Sequence, residues 1–291
     1  MSESKRKIDA RDKPKKKRFR SDGTPIWGQR LMNGPGIWVT CVKGKEKQTV
    51  GELYDLFESV ANELWPETAP SATSAKTENG DSDSDVDEGS DIEKQIAKEV
   101  ATIKRPRREQ RFANCQTNTP CVLFISCKEP VDPVRLVMKL VNDVMETGVS
   151  QTRTAQRLTP VSACCPPNLP EIQSLCTRLL APILEEYKDK AFTYKIELRL
   201  RNHTNLKRPD IVQTLAKCVP DNHKVDLDNP EVFILVEIFK SVCGISIVKD
   251  YYRLQKFNLM EIANSRKGEL EAQQAEEGRV GEKKAEEHKE D

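Results

Sequence analysis

The sequence predicts a mixed α/β chain, α+β in class, built from two small units in series. It also predicts charged ends and an acidic break inside the first unit. Three observations carry this. Short apolar, β-branched runs alternate with stretches of helical spacing between Gly34 and Leu259. The run Lys224–Val248, KVDLDNPEVFILVEIFKSVCGISIV, reads as three strands and two turns. Charge is segregated: basic residues crowd the first twenty positions and acids crowd Glu78–Glu93, although the net charge is only +1.

Each element has its own signal. Residues 1–33 form a basic tail of low hydrophobicity, expected to be disordered. Gly36–Cys41 is a strand. Thr49-Val50-Gly51-Glu52 has the pattern of a capping box, so a helix is expected to begin there. Val50, Leu53, Phe57, Val60, Ala61, Leu64 and Trp65 follow at helical spacing. Residues 66–91 hold Ser, Thr, Asp, Glu and Gly with too little apolar surface to order themselves, and read as an acidic insertion. Ile92, Ile96, Val100 and Ile103 space a short helix before the basic stretch Lys104–Arg111. Pro120–Ser126 is a buried strand. Asp132-Pro133 opens a helix, Asp as N-cap and Pro at the first position, and Gly148 closes it. A strand at Arg157–Val161 completes a unit over 34–163, whose alternation suggests a ferredoxin-like sandwich.

Cys164–Asn168 reads as a linker into a second unit over 164–260. Pro170 opens an amphipathic helix that Pro182 is expected to kink. From Phe192 to Leu200 the pattern has period two. Phe192, Tyr194, Ile196, Leu198 and Leu200 point one way, and Thr193, Lys195, Glu197, Arg199 and Arg201 the other. A loop and a helix from Pro209 follow. In the closing run, Lys240–Gly244 is expected to turn and Ile245–Val248 to form the last strand. Val232, Ile234, Val236 and Ile238 are expected in the core. Residues 261–291 read as a charged tail assigned as disordered, with a solvated helix from Ser265 onward as the other reading.

The chain has 291 residues, 32% charged and 37% hydrophobic, with nine cysteines but no CxxC pair. No apolar leader and no run long enough for a membrane span is visible. The cysteines are expected as free thiols in a reducing compartment. No Walker-type loop or GxGxxG is present, and Cys115, Cys121, Cys127 and the adjacent Cys164-Cys165 lack zinc spacing. His203, His223 and His288 have no visible catalytic partner.

The strongest chemical signal is a basic ridge. Lys195, Arg199 and Arg201 lie at alternate strand positions and run into a loop with Asn202, His203, Lys207 and Arg208. Cations so spaced suit phosphates, and Asn and His suit ribose hydroxyls or bases. A solvated sheet face would also carry such a stripe. Lys224 is the one ligand candidate of the closing run, and Arg153 and Arg157 are candidates from the first unit. Lys104, Arg105, Arg107, Arg108 and Arg111 form a further cluster, as consistent with a linker or a localisation signal as with RNA contact. Lys15, Lys16, Lys17 and Arg18 have the composition of a nuclear localisation signal. Ser82 and Ser84, set among acids, are phosphorylation candidates.

Six segments in combination resemble the eukaryotic THUMP-domain adaptors of tRNA cytidine N4-acetylation. They are GIWVTCVKGKE (Gly36–Glu46), DPV (Asp132–Val134), TRTAQRLTPV (Thr152–Val161), YKIELRLRNH (Tyr194–His203), KVDLDNPEVFILVEI (Lys224–Ile238) and KFNL (Lys256–Leu259). The resemblance implies a ferredoxin-like domain followed by a THUMP domain that binds serine and leucine tRNAs. It implies a non-enzymatic partner to a separate RNA cytidine acetyltransferase, without cofactor, membrane or small-molecule substrate. Only 32 residues, half of them charged, follow Leu259, too few for a catalytic domain of the usual size. The location implied is the nucleus, and within it the nucleolus. Two other readings stay open: a tRNA acetyltransferase in its own right, and a general RNA-binding factor of ribosome biogenesis.

Overall fold

The computed structural model describes residues 32–66 and 110–269. The first sheet has four strands in the order β2-β3-β1-β4, all neighbours antiparallel. They are β1 (Gly36–Cys41), β2 (Phe112–Cys115), β3 (Val122–Cys127) and β4 (Ala155–Val161). Helix α1 (Glu46–Leu64) follows β1 and α2 (Pro133–Thr147) follows β3. Both helices lay their apolar stripes, Leu53, Phe57, Val60 and Leu136, Leu140, Val144, into one core with Ile37, Val39 and Ile125. Helix α2 has the ends its sequence demands. The Asp132 carboxylate accepts from Val134 N–H, Pro133 opens the first turn, and Gly148 closes the helix at φ +70°.

Four sequence expectations change here. Helix α1 begins one turn early, and Thr49 and Glu52 do not cap it. Thr49 is fully buried, donates to Lys45 O or meets the Thr154 hydroxyl at 2.8 Å, and Glu52 accepts from the Thr154 and Arg153 N–H groups and the Thr154 hydroxyl. A motif that looks local thus clamps a turn a hundred residues away. The expected linker is partly a strand: β5 (Ala163–Cys165) pairs with the last strand of the chain. The last strand, β9 (Val242–Lys249), starts three residues early, because Lys240 takes φ +54° and a two-residue turn suffices. Residues 261–269, assigned by sequence to the tail, belong to a helix α5 (259–269) that buries Ile262 and Ala263. Strand β2 had no signal, being four residues long. The acidic insertion, residues 92–109 and the N-terminal tail lie outside the described residues.

The second sheet has the order β5-β9-β8-β6-β7. Helix α3 (Leu169–Glu186), β6 (Thr193–Arg201), α4 (Arg208–Ala216), β7 (Lys224–Val225) and β8 (Val232–Phe239) precede β9. Strand β6 runs parallel to β7 and β8, and β8 runs antiparallel to β9. On one face Val232, Ile234, Val236 and Ile238 pack against Ile172, Leu175, Leu180, Ile211 and Leu215 of the two helices.

The other face of β8 is also buried. Phe233 and Leu235 join the core of the first unit together with Tyr251, Phe257 and Leu259. Phe239 packs on Trp38, which also meets Phe124, with ring centroids 5.0 and 4.7 Å apart. The chain passes from β4 almost directly into β5, and Ser246 Oγ, fully buried, donates to Pro160 O at 2.7 Å. Gly244 makes the close approach possible: a Cβ there would lie 2.9 Å from Val161 Cγ1.

Candidate nucleic-acid interface

The buried second face of β8 decides what becomes of the basic ridge. Lys195, Glu197, Arg199 and Arg201 stand beside Phe233, Leu235, Glu237 and Phe239 in register, on the face that meets the first unit. The stripe therefore lines the margin of a packed junction, and its cations have partners within the chain. Lys195 Nζ donates to Leu227 O at 2.8 Å, lies 3.7 Å from Glu197 Oε1, and sits 4.7 Å from the Tyr252 ring centroid. The Tyr252 contact first, then Glu197, hold its ammonium above the usual lysine range. The Tyr252 hydroxyl donates to Glu197. Arg199 donates to the buried Tyr251 hydroxyl at 3.0 Å.

Arg201 Nε lies 3.1 Å from Glu237 Oε1, whose side chain is 4% exposed. Neither Glu237 oxygen has an aligned hydrogen bond, so the pair is held by charge. Burial pushes the Glu237 carboxyl above the usual carboxylate range, against the pull of Arg201, Arg199 and Arg157. One carboxylate thus answers three guanidiniums at the junction. Arg157 comes from β4 and is partly buried. Burial first, then Arg199, hold its guanidinium below its ordinary value, and its Nε has no partner.

The remaining predicted residues lie at separate places. Asn202 takes φ +52° and is exposed. His203 Nδ1 donates to Lys240 O at 2.8 Å and Nε2 accepts from Leu206 N–H at 3.3 Å, which defines one tautomer and closes the loop onto the β8–β9 turn. Lys207 is exposed at the N-cap of α4 with no side-chain cap bond. Arg208 is exposed, yet its guanidinium donates to Leu198 O at 2.8 Å. Lys224 is exposed on β7, opposite Thr193. Eight residues of β6 separate that end from Arg201, about 26 Å at the usual strand rise. Arg153 is exposed at a turn whose N–H groups Glu52 holds at 3.1 and 3.3 Å. Burial opposes it, but the bonds from Gln48, Thr154 and Arg153 draw the Glu52 carboxyl below its ordinary value. Arg111 of the second basic cluster is buried, bonded to Asn62 and paired with Glu58. Lys15–Arg18, Lys104–Arg108, Ser82 and Ser84 lie outside the described residues.

Three side chains that sequence reasoning did not assign now join the set. Lys256 and Lys195 both lie over the Tyr252 ring, and Lys240 Nζ reaches Thr117 O at 2.7 Å. Lys256 sits in the KFNL segment, which was a usable signal; nothing in the charged stretch Lys249–Lys256 singled out Tyr252. Among the described residues no three His, Cys, Asp or Glu side chains converge to hold a metal, and no helix is long and apolar enough to cross a membrane. The nine cysteines are free thiols.

Residues 167–248 match the THUMP domain family model. An uncharacterized protein of Schizosaccharomyces pombe is 34% identical over 230 residues, 79% of this chain and 76% of that protein. THUMP domain-containing protein 1 of Bos taurus is 30% identical over 237 residues, 80% of this chain and 64% of that protein. A Saccharomyces cerevisiae protein named tRNA acetyltransferase TAN1 is 28% identical over 255 residues, 79% of this chain and 85% of that protein. These stretches are far longer than the matched module, so the likeness extends beyond it.

Proposed function

The chain belongs to the family of THUMP domain-containing proteins, and from that premise we propose that it binds tRNA and serves the N4-acetylation of a D-arm cytidine as partner to a separate acetyltransferase. The observation that carries this reading is the alignment along 85% of the yeast protein whose name joins tRNA and acetyl transfer. The substrates of this reading are serine and leucine tRNAs. The N-terminal unit is read as ferredoxin-like; its βαββαβ element order and its sheet order support that. Lys207, Lys224 and Arg153, exposed on separate edges, suit a large ligand held by its backbone rather than a small one held in a pocket. Lys15–Arg18 support a nuclear location, with the nucleolus as the finer assignment.

The adaptor role rests on how the titratable groups are spent. Both nitrogens of His203 hold backbone groups, and His223 Nδ1 accepts from Phe192 N–H. Glu52 holds a turn, and Glu197 and Glu237 answer neighbouring cations. A general acid or base needs a proton it can exchange with substrate, and these groups are committed elsewhere. The yeast relative's name favours the second reading, catalysis by this chain itself. Deleting the gene decides the function: N4-acetylcytidine should vanish from serine and leucine tRNAs and persist in ribosomal RNA. Its persistence in those tRNAs would reject the reading. Purified chain with acetyl-CoA, ATP and tRNA should yield no product; product without a second protein would establish the enzyme.

A further inference from the structure

A cavity of about 550 Å³ opens where β4 passes the segment that follows β9, lined by Arg157, Tyr252, Gln255, Lys256 and Glu261. Its size falls within the range of about 300–1,000 Å³ typical of sites for small organic groups. Three features of its wall are unusual together. Arg157 brings a buried, unpartnered Nε and shares its surroundings with Arg199 and Arg201, while Glu237 faces the three from within the junction and Glu261 faces Arg157 from the cavity wall. Lys256 is exposed at the mouth, its Nζ 5.1 Å from the Tyr252 ring centroid, a contact that holds the ammonium there.

The third feature is backbone strain. Gln255, Lys256 and Phe257 take φ of +47°, +54° and +58° in succession. Non-glycine residues are uncommon in this region and persist where the surroundings over-determine them. Here the surroundings are Phe257 and Leu254, both fully buried, with Phe257 set 5.1 Å from the Tyr251 ring. Lys256 N–H also donates to Tyr251 O at 2.8 Å. Burial of the two anchors thus forces Gln255 and Lys256 outward into the cavity wall.

We propose that this crevice is a subsite for one nucleotide of bound RNA, with its phosphate on Arg157 and Lys256. Glu261 sets the ligand class: a carboxylate disfavours a bare anion but accepts a hydrogen bond from a ribose hydroxyl, and the Gln255 amide offers a donor and an acceptor to a base edge. The subsite rests on the tRNA-binding reading and adds to it a place, between the two sheets, where both units touch the same nucleotide.

The test uses the full chain and tRNA in a salt titration, with K256E, E261Q and K207E, all at exposed positions. K256E should weaken tRNA binding about tenfold and lower the salt slope by about one phosphate contact. E261Q should narrow the preference for an RNA strand over DNA of the same sequence. If K256E and E261Q bind tRNA as the unaltered chain does while K207E weakens it, the subsite is wrong and the tRNA-binding reading survives. If no variant changes and the unaltered chain itself fails to bind tRNA, that reading falls and the subsite with it. Saturable binding of cytidine monophosphate that needs Lys256 but is not displaced by tRNA would assign the crevice to a free nucleotide and overturn the proposal.

Discussion

The cations of this protein fall into two groups that look alike in sequence and differ in fate. Lys195, Arg199, Arg201 and Arg157 stand at the junction of the two sheets and answer Glu197, Tyr251, Tyr252 and Glu237. Lys207, Lys224 and Arg153 stand on exposed edges. The difference teaches that a basic stripe on a strand need not be a ligand surface. Its neighbour strand decides, because an apolar β8 face draws the first unit over the charged β6 face beside it. Substitutions of Lys195, Arg199 and Arg201 should therefore act on stability, those in the second group on binding, and those of Arg157, which also lines the crevice, on both.

The sharpest break of that comparison is Glu237→Ala. It leaves three guanidiniums around an empty place, and removing one partner of a buried charge cluster costs about 3–5 kcal/mol. Because Arg201 remains 29% exposed, we expect the lower end, about 3 kcal/mol, in urea unfolding followed by circular dichroism. A loss below about 0.5 kcal/mol, the usual range for surface changes, would move the junction cations into the exposed group.

Next comes the junction without its charges. Gly244→Ala places a methyl 2.9 Å from Val161 Cγ1. Overpacking of this kind costs about 1–3 kcal/mol, read as a lower urea midpoint. An unchanged midpoint would mean that the sheets slide apart freely.

Glu52→Ala tests whether a junction-like clamp also positions an exposed cation. Loss of its three hydrogen bonds to the Arg153–Thr154 turn should cost about 1–2 kcal/mol and speed amide exchange at those two residues. The pH dependence has a definite sign. The folded Glu52 carboxyl is drawn below its ordinary value of 4.5, so its contribution is complete above that pH and is lost as pH falls through the lower folded value. Protection of the Arg153 and Thr154 amides, relative to their intrinsic exchange rates, should therefore fall only under acid conditions in the unaltered chain. Equal acid sensitivity in Glu52→Gln would disprove the assignment.

The smallest effect on stability belongs to Lys207→Glu, within about 0.5 kcal/mol. Its tRNA affinity should nonetheless fall, and a salt slope equal to that of the unaltered chain would remove Lys207 from the binding surface.

Much of the fold was legible where the signal is local. Asp132, Pro133 and Gly148 bounded a helix because capping and left-handed closure depend on residues within one turn. The alternation of β6 and the apolar run of β8 were legible for the same reason. Thr49 and Glu52 misled because the residues that satisfy a helix end can equally satisfy a distant turn. Of the ten candidate RNA contacts, the sequence identified the residue types but not their company. Lys224 on β7 sits beside the start of β6 and Arg201 at its far end, and Arg157 meets Arg199 and Arg201 from another sheet.

By itself the sequence determined most of the elements and their order, with β2, β5 and helix α5 the exceptions, the face of β8 that packs on helices, and the membership of a family. Those follow from periodicity, capping and segment identity, all properties of neighbouring residues. Tertiary structure alone decided that β8 is buried on both faces, that β4 runs on into β5, and that Gly244 and Ser246 bring the two sheets together. That packing turned a charged strand face into a junction and left a crevice between Arg157 and Lys256, because burial and charge depend on what lies across space, which no stretch of chain contains.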